Sequence, residues 1–138
     1  MVSISLTYEG ELRCRATHDP SGNTLFTDAP IDNKGKGASF SPTDLLATSL
    51  GTCMLTIMGM AANARSLDIS GTNVHVEKHM INQPIRRIDT LNVLLTLPKA
   101  AYSEADLEAL HHAAKNCPVM MSIHPDIKVN YRLLVAEQ

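Results

Sequence analysis

Apolar and polar side chains alternate from the start of the chain. Val2, Ile4, Leu6 and Tyr8 interleave with Ser3, Ser5 and Thr7, the period of a strand with one buried face. Glu9-Gly10 reads as a turn. Residues 12–17 alternate again, with Leu12, Cys14 and Ala16 on one face and Arg13, Arg15 and Thr17 on the other. Asp19-Pro20-Ser21-Gly22-Asn23 is turn chemistry and predicts a return strand over 24–27. Residues 28–40, rich in Gly, Lys, Asp and Pro, read as a flexible loop. Gly35-Lys36-Gly37 within it lacks the strand-to-helix setting of a phosphate loop.

The pattern then changes period. Ser41-Pro42-Thr43-Asp44 is a helix start, with Ser41 as N-cap, Pro42 at the first helical position and Asp44 closing a capping-box variant. Residues 45–64 carry no charge. About 20 apolar residues can span a bilayer, but Thr48, Ser49, Thr52, Thr56 and Asn63 make this run only mildly apolar. It is better read as a helix buried on all sides. A chain of 138 residues would need a second subunit to cover it, and Gly51, Gly59, Ala61 and Ala62 would permit close approach.

Strands over 70–80 and 87–97 flank the turn Asn82-Gln83-Pro84 and predict an antiparallel hairpin. Ser103-Glu104-Ala105-Asp106 starts a helix that runs to about Asn116. Cys117-Pro118 opens a short helix over 119–123, and Ile127, Val129, Tyr131 and Leu133 alternate as a last strand. The order βββ-α-ββ-α-β is that of a single α+β domain, residues 1–138.

Composition narrows the chemistry. Apolar residues are 44% of the chain, with no Trp, two Phe and seven Met, and the formal net charge is −2. The balance gives no footprint for nucleic acid or anionic membrane and excludes a disordered chain. Three cysteines, Cys14, Cys53 and Cys117, are too few for a disulfide scaffold. No signal peptide is read at the N-terminus, so a cytoplasmic protein with reduced thiols is expected.

Cys53 lies inside the uncharged helix, where most free cysteines are small core hydrophobes. Cys117 precedes a Pro at a helix start, where the helix dipole and free amides favour a thiolate; a plain capping role is the alternative. Cys14 reads as a structural strand residue. His111, His112, His124 and Cys117 lie close in sequence but match no zinc spacing, so no metal is expected. His75 and His79 read as solvent-facing.

Ser41-Pro42-Thr43-Asp44-Leu45-Leu46-Ala47-Thr48-Ser49-Leu50-Gly51-Thr52-Cys53 resembles the signature of the OsmC/Ohr family. Ala113-Ala114-Lys115-Asn116-Cys117-Pro118-Val119 resembles the family's Ala-rich helix ending in Cys-Pro. The two cysteines lie 64 positions apart, as the family pattern has them, and the resemblance covers essentially the whole chain. It implies a thiol-dependent peroxidase acting on hydroperoxides. It also implies an intertwined homodimer with antiparallel sheets around a buried central helix. Cys53 would be the peroxidatic cysteine and Cys117 the resolving one. An external dithiol would restore both, and no cofactor would be needed.

Such chemistry needs a thiolate. At an ordinary pKa of about 8.5, roughly 3% of a thiol is ionised at pH 7; a shift to about 6 makes that roughly 90%. The family supplies the cation as an arginine of the N-terminal sheet, which corresponds to Arg13 or Arg15 here, with Arg15 slightly preferred. In the Ohr and OsmC branches a Glu after the helix-start Pro pairs with that arginine. Thr43 stands there in this chain, so it looks closer to the OsmC-like branch. Met54, Met58, Met120 and Met121 suggest an apolar lining suited to organic hydroperoxides. The alternatives are a redox-sensing or sulfur-handling thiol protein on the same fold, or a structural dimer whose cysteines stay thiols.

Overall fold

A computed structural model describes residues 1–137. They fall into two compact units, Met1–Leu46 and the rest of the chain. The first holds β1 (Ile4–Gly10), β2 (Arg13–His18) and β3 (Thr24–Asp28), an antiparallel sheet in the order β1-β2-β3. Leu6 faces Ala16 and Tyr8 faces Cys14 across the β1–β2 ladder. The alternation puts Ile4, Leu6, Tyr8, Cys14, Ala16 and Leu25 on one face and Arg13, Arg15, Phe26 and Asp28 on the other.

The expectation that β1 buries its apolar face does not hold in the single chain. Ile4, Leu6 and Tyr8 are 59%, 71% and 64% exposed. Alternation reports that a face is fit for burial; it does not say that the same chain provides the cover.

The segment after β3 is not a flexible loop. It turns through a single 3-10 turn, Ile31–Asn33, and folds back on the end of the strand. Gly35 N–H donates to Pro30 O, Gly37 N–H to Ala29 O and Asp28 N–H to Phe40 O. A β-carbon at Gly35 would overlap the Ala29 carbonyl, so only glycine permits this approach. Asp28, read from sequence as the first residue of the loop, is instead the last of β3.

Helix α1 (Pro42–Ala64) starts as expected. Ser41 Oγ accepts from Asp44 N–H, and Asp44 Oδ2 accepts from Ser41 N–H. The helix is long and apolar enough to cross a membrane by length and composition, traits shared with core helices. Its buried stripe is Ala47, Leu50, Gly51, Met54, Met58 and Ala62, the spacing of one helical face. Thr48, Thr52, Thr56 and Met60 lie exposed opposite. The hydroxyls of Thr52 and Thr56 bond back to the carbonyls of Thr48 and Thr52, each at 2.9 Å, satisfying these donors without charge. Burial on all sides is therefore corrected for the single chain: one stripe is covered.

In the second unit β4 (Asn73–Ile81) and β5 (Arg87–Leu97) form the expected antiparallel hairpin. Helices α2 (Glu104–Lys115) and α3 (Pro118–Ser122) then lead to β6 (Lys128–Val135). The sheet order is β4-β5-β6, and β6 runs parallel to β5. The expectation of antiparallel sheets is corrected here. The helices carry the chain from the end of β5 back toward the end where β5 begins, so β6 enters the sheet in the same direction and the pair is parallel. β5 is central and buries Ile88, Leu91, Val93, Leu95 and Leu97. Leu50, Met54 and Met58 of α1 and Leu110 and Ala114 of α2 are buried as well. At Gly51 a β-carbon would stand 3.1 Å from Val76 Cγ2, so the missing side chain lets α1 lie close on β4.

Candidate active site

Two of the three thiols meet. Cys53 projects from the fourth turn of α1 and is partly exposed; Cys117 is fully buried at the junction of α2 and α3; both are free. Their positions follow from local rules. Asn116 closes α2 through bonds from its N–H to the carbonyls of His112 and Ala113. Pro118 then opens α3 at a position where its missing N–H is no loss. Cys117 is left between them as the N-cap of α3, its Sγ accepting from Met120 N–H at 3.4 Å.

The Cys117 thiol also has Cys53 as a neighbour that acts on its titration. Its titration runs opposite to the expectation from the helix start. Burial pushes the Cys117 thiol above its ordinary range, the Met120 amide pulls it down, and Cys53 pushes it up again. Loss of water outweighs the amides of Met120 and Val119 at the start of a five-residue helix. Cys117 is thus held toward its thiol form beside Cys53. To close a disulfide, neighbouring sulfurs must come to roughly 2.05 Å. The pair can donate a proton, accept one, and close a covalent bond.

The arginines lie on β2, in the N-terminal unit, each with its own carboxylate. Arg15 Nε donates to Glu9 Oε1 at 2.8 Å, both side chains being well exposed. Arg13 Nη2 stands 3.7 Å from Asp28 Oδ2, and the Asp28 side chain is 1% exposed. Neither carboxylate is legible in the sequence: Glu9 reads as a turn residue and Asp28 as loop composition. The one available signal was the strand register, which sets Asp28 directly opposite Arg13.

Thr43, which stands where the family carries Glu, places its Oγ1 3.1 Å from Ser41 Oγ. The methionines divide. Met54 and Met58 are core residues with no exposure, Met120 is half-buried and Met121 is exposed. Packing accounts for the first two, so they are not an apolar lining open to substrate. Among the described residues no group of His, Cys, Asp and Glu side chains is arranged to hold a metal ion. His111 instead shares a 3.1 Å hydrogen bond with the Tyr131 hydroxyl. His75 and His79 flank Glu77, exposed, with their Nε2 atoms 3.8 Å from its oxygens.

Comparison with known proteins places this architecture. The profile of OsmC-like proteins matches residues 35–132. A Psychrobacter arcticus structure named for an osmotic stress induced and detoxification response is 44% identical. It superposes with a TM-score of 0.90 over 96% of each chain. An organic hydroperoxide resistance protein OsmC from Legionella pneumophila shares the fold at 19% identity and a TM-score of 0.70, over 99% of this chain and 97% of that one. One from Elizabethkingia anophelis, with thiocyanate bound, does so at 16% and 0.74, over 100% and 96%. No curated protein matched.

Proposed function

The chain belongs to the OsmC-like protein family, and on that premise we propose that it is a thiol-dependent peroxidase reducing organic hydroperoxides to alcohols through Cys53 and Cys117. The observation that carries this reading is the neighbourhood of the two thiols, one partly exposed and one buried and raised by its burial. A peroxidatic cysteine must be reachable and a resolving cysteine must wait as a thiol within reach. The substrate class is supported by the names of the Legionella and Elizabethkingia structures, both hydroperoxide resistance proteins.

The Cys53 thiolate attacks one peroxide oxygen, the O–O bond breaks, and the alkoxide leaves and takes a proton to become an alcohol. Cys53 is left as a sulfenic acid. The Cys117 sulfur then attacks the Cys53 sulfur, its proton leaves with the hydroxide as water, and a disulfide forms. An external dithiol returns both thiols by exchange, itself becoming a disulfide. The resemblance assigns the cation that favours the thiolate to Arg13 or Arg15. Thiols that must be kept reduced suit a cytoplasmic setting.

A second copy of the chain belongs to this proposal. The apolar face of the first sheet, with Ile4, Leu6, Tyr8 and Leu25 all exposed, is the kind of uncovered surface that marks association. Thr43 in place of the family Glu favours one alternative, a redox-responsive or sulfur-handling dithiol that is oxidised but does not turn over.

Reduced protein mixed with cumene hydroperoxide or hydrogen peroxide, followed by thiol counting and then by turnover with dithiothreitol, tests the reading. Loss of two thiols per chain, faster with the organic peroxide, and repeated turnover are expected. Oxidation without turnover selects the dithiol reading, and no loss of thiols with either oxidant overturns both.

A further inference from the structure

Cys117 caps the helix that follows it with its own sulfur. Pro118 has no N–H to offer, and Met120 N–H donates to Cys117 Sγ at 3.4 Å. Little else holds α3. Met121 N–H donates to Cys117 O at 3.2 Å, Ile123 N–H to Val119 O at 3.1 Å, and Ser122 Oγ to Pro118 O at 2.7 Å. None of its five residues is buried, and Met121 is 65% exposed. A helix this short has no stability of its own, and segments with few buried contacts open first. The helix before the junction is different. α2 has twelve residues, a capping box at Ser103, and Leu110, Ala113 and Ala114 buried. When the junction around Cys117 opens, α3 is the side that yields.

The Cys117 sulfur has two uses, and they compete. As a thiol it rests against the Met120 amide. In a disulfide it must lie about 2.05 Å from the Cys53 sulfur on α1. Returning the disulfide to thiols raises a second conflict. An attacking thiolate must choose one of the two sulfurs. Striking Cys53 expels Cys117 as a thiolate where burial disfavours that form. Striking Cys117 expels the partly exposed Cys53, but Cys117 has no exposure while α3 is in place.

Resting on the peroxidase reading, we infer that α3 is a redox-sensitive latch: closing the Cys53–Cys117 disulfide draws the Cys117 sulfur off the Met120 amide, loosens α3 and opens that sulfur to the external dithiol. The dithiol's thiolate bonds to Cys117 Sγ, the S–S bond breaks, and Cys53 leaves as a thiolate. The second thiol of the reductant gives up its proton and attacks its own sulfur in the mixed disulfide. Cys117 is released and takes a proton, and the reductant ends as a disulfide. With Cys117 a thiol again, its sulfur recaps α3 and the junction closes.

The test compares the full chain reduced and after diamide, which takes two hydrogens from a thiol pair without any peroxide. Amide-resolved hydrogen exchange is read over residues 118–123. Oxidation is expected to speed exchange at Met120 and Met121 about fivefold or more, the scale of a lost N-cap, and to leave α2 unchanged. Reduced Cys117→Ala should match the oxidised protein at these amides. Cys117→Ser, whose hydroxyl is a good cap, should stay protected. The oxidised Met121→Gly protein should be reduced by dithiothreitol about fivefold faster than native, the scale of one glycine in a helix. A brief pulse of 2-mercaptoethanol, stopped by acid, should leave its adduct on Cys117.

Exchange at Met120 and Met121 that ignores both oxidation and Cys117→Ala overturns the inference. So does an adduct on Cys53, or a reduction rate unmoved by Met121→Gly. If diamide closes the disulfide and loosens α3 while neither peroxide reacts, the peroxidase reading falls and the latch stands. If diamide forms no Cys53–Cys117 disulfide, both fall.

Discussion

The Cys117 thiol sits beside Cys53 and is pushed above its ordinary pKa by burial. The two facts have one cause, the placement of Cys117 in the closed junction between α2 and α3. Alkylation of Cys117 should therefore lag that of Cys53 at pH 7 and have a midpoint above the ordinary thiol range. Cys53→Ser removes a neighbour that raises Cys117, so the Cys117 midpoint should fall, while burial keeps it above ordinary. Peptide mapping after iodoacetamide across pH 6–11 checks this. Faster modification of Cys117 than of Cys53 would contradict it.

The exposed stripe of β1 makes a prediction about mass. The chain weighs 15.0 kDa, and light scattering should report twice that. Leu6→Glu puts a charge at the centre of the stripe, where Leu6 is 71% exposed. It should shift the particle toward the monomer mass without unfolding the second unit. A native monomer would remove the second copy from the proposal.

Two glycines of α1 should respond in opposite directions to alanine. Gly59 has nothing within 4 Å of its would-be β-carbon, so Gly59→Ala should stabilise by up to about 1 kcal/mol through helix propensity. Gly51→Ala gains the same propensity but meets Val76 Cγ2 at 3.1 Å. Forced repacking of a tight contact takes about 1–3 kcal/mol, so a net loss is expected. Adding Val76→Ala should relieve the clash. Urea midpoints of the four proteins check the ordering.

Burial raises the Tyr131 hydroxyl to about 12. A group whose folded pKa lies above its unfolded value stabilises fully below the unfolded value, roughly 10 for tyrosine. That contribution is lost as pH rises through the folded value. Stability should thus decline between about pH 10 and 12, and Tyr131→Phe should flatten that limb. Chemical unfolding at pH 8, 10 and 11.5 measures it.

Much of the fold is legible in local pattern. The Ser41–Asp44 capping box, the β4–β5 hairpin and the Pro118 helix start are each decided by a few neighbouring residues. The cysteine pair was legible too, because each cysteine sits in a recognisable local context. What escaped depends on contacts far along the chain. The parallel pairing of β6 follows from where α2 and α3 deliver it. The exposure of Ile4, Leu6 and Tyr8 depends on what covers them, which alternation does not encode. Asp28 looked like loop composition because its burial comes from segment 29–40 folding back. The direction of the Cys117 shift turned on burial, whereas helix-start chemistry alone pointed the other way.

The central claim is that Cys53 is oxidised by a hydroperoxide and resolved by Cys117. Its most direct measurement is peptide mass mapping of the reduced protein after one equivalent of cumene hydroperoxide. A Cys53–Cys117 disulfide is expected, with Cys14 still a thiol. Cys53→Ser should leave all remaining thiols intact, and Cys117→Ser should hold Cys53 as a sulfenic acid or a higher oxide. Intact Cys53 after treatment, or oxidation confined to Cys14, would contradict the claim.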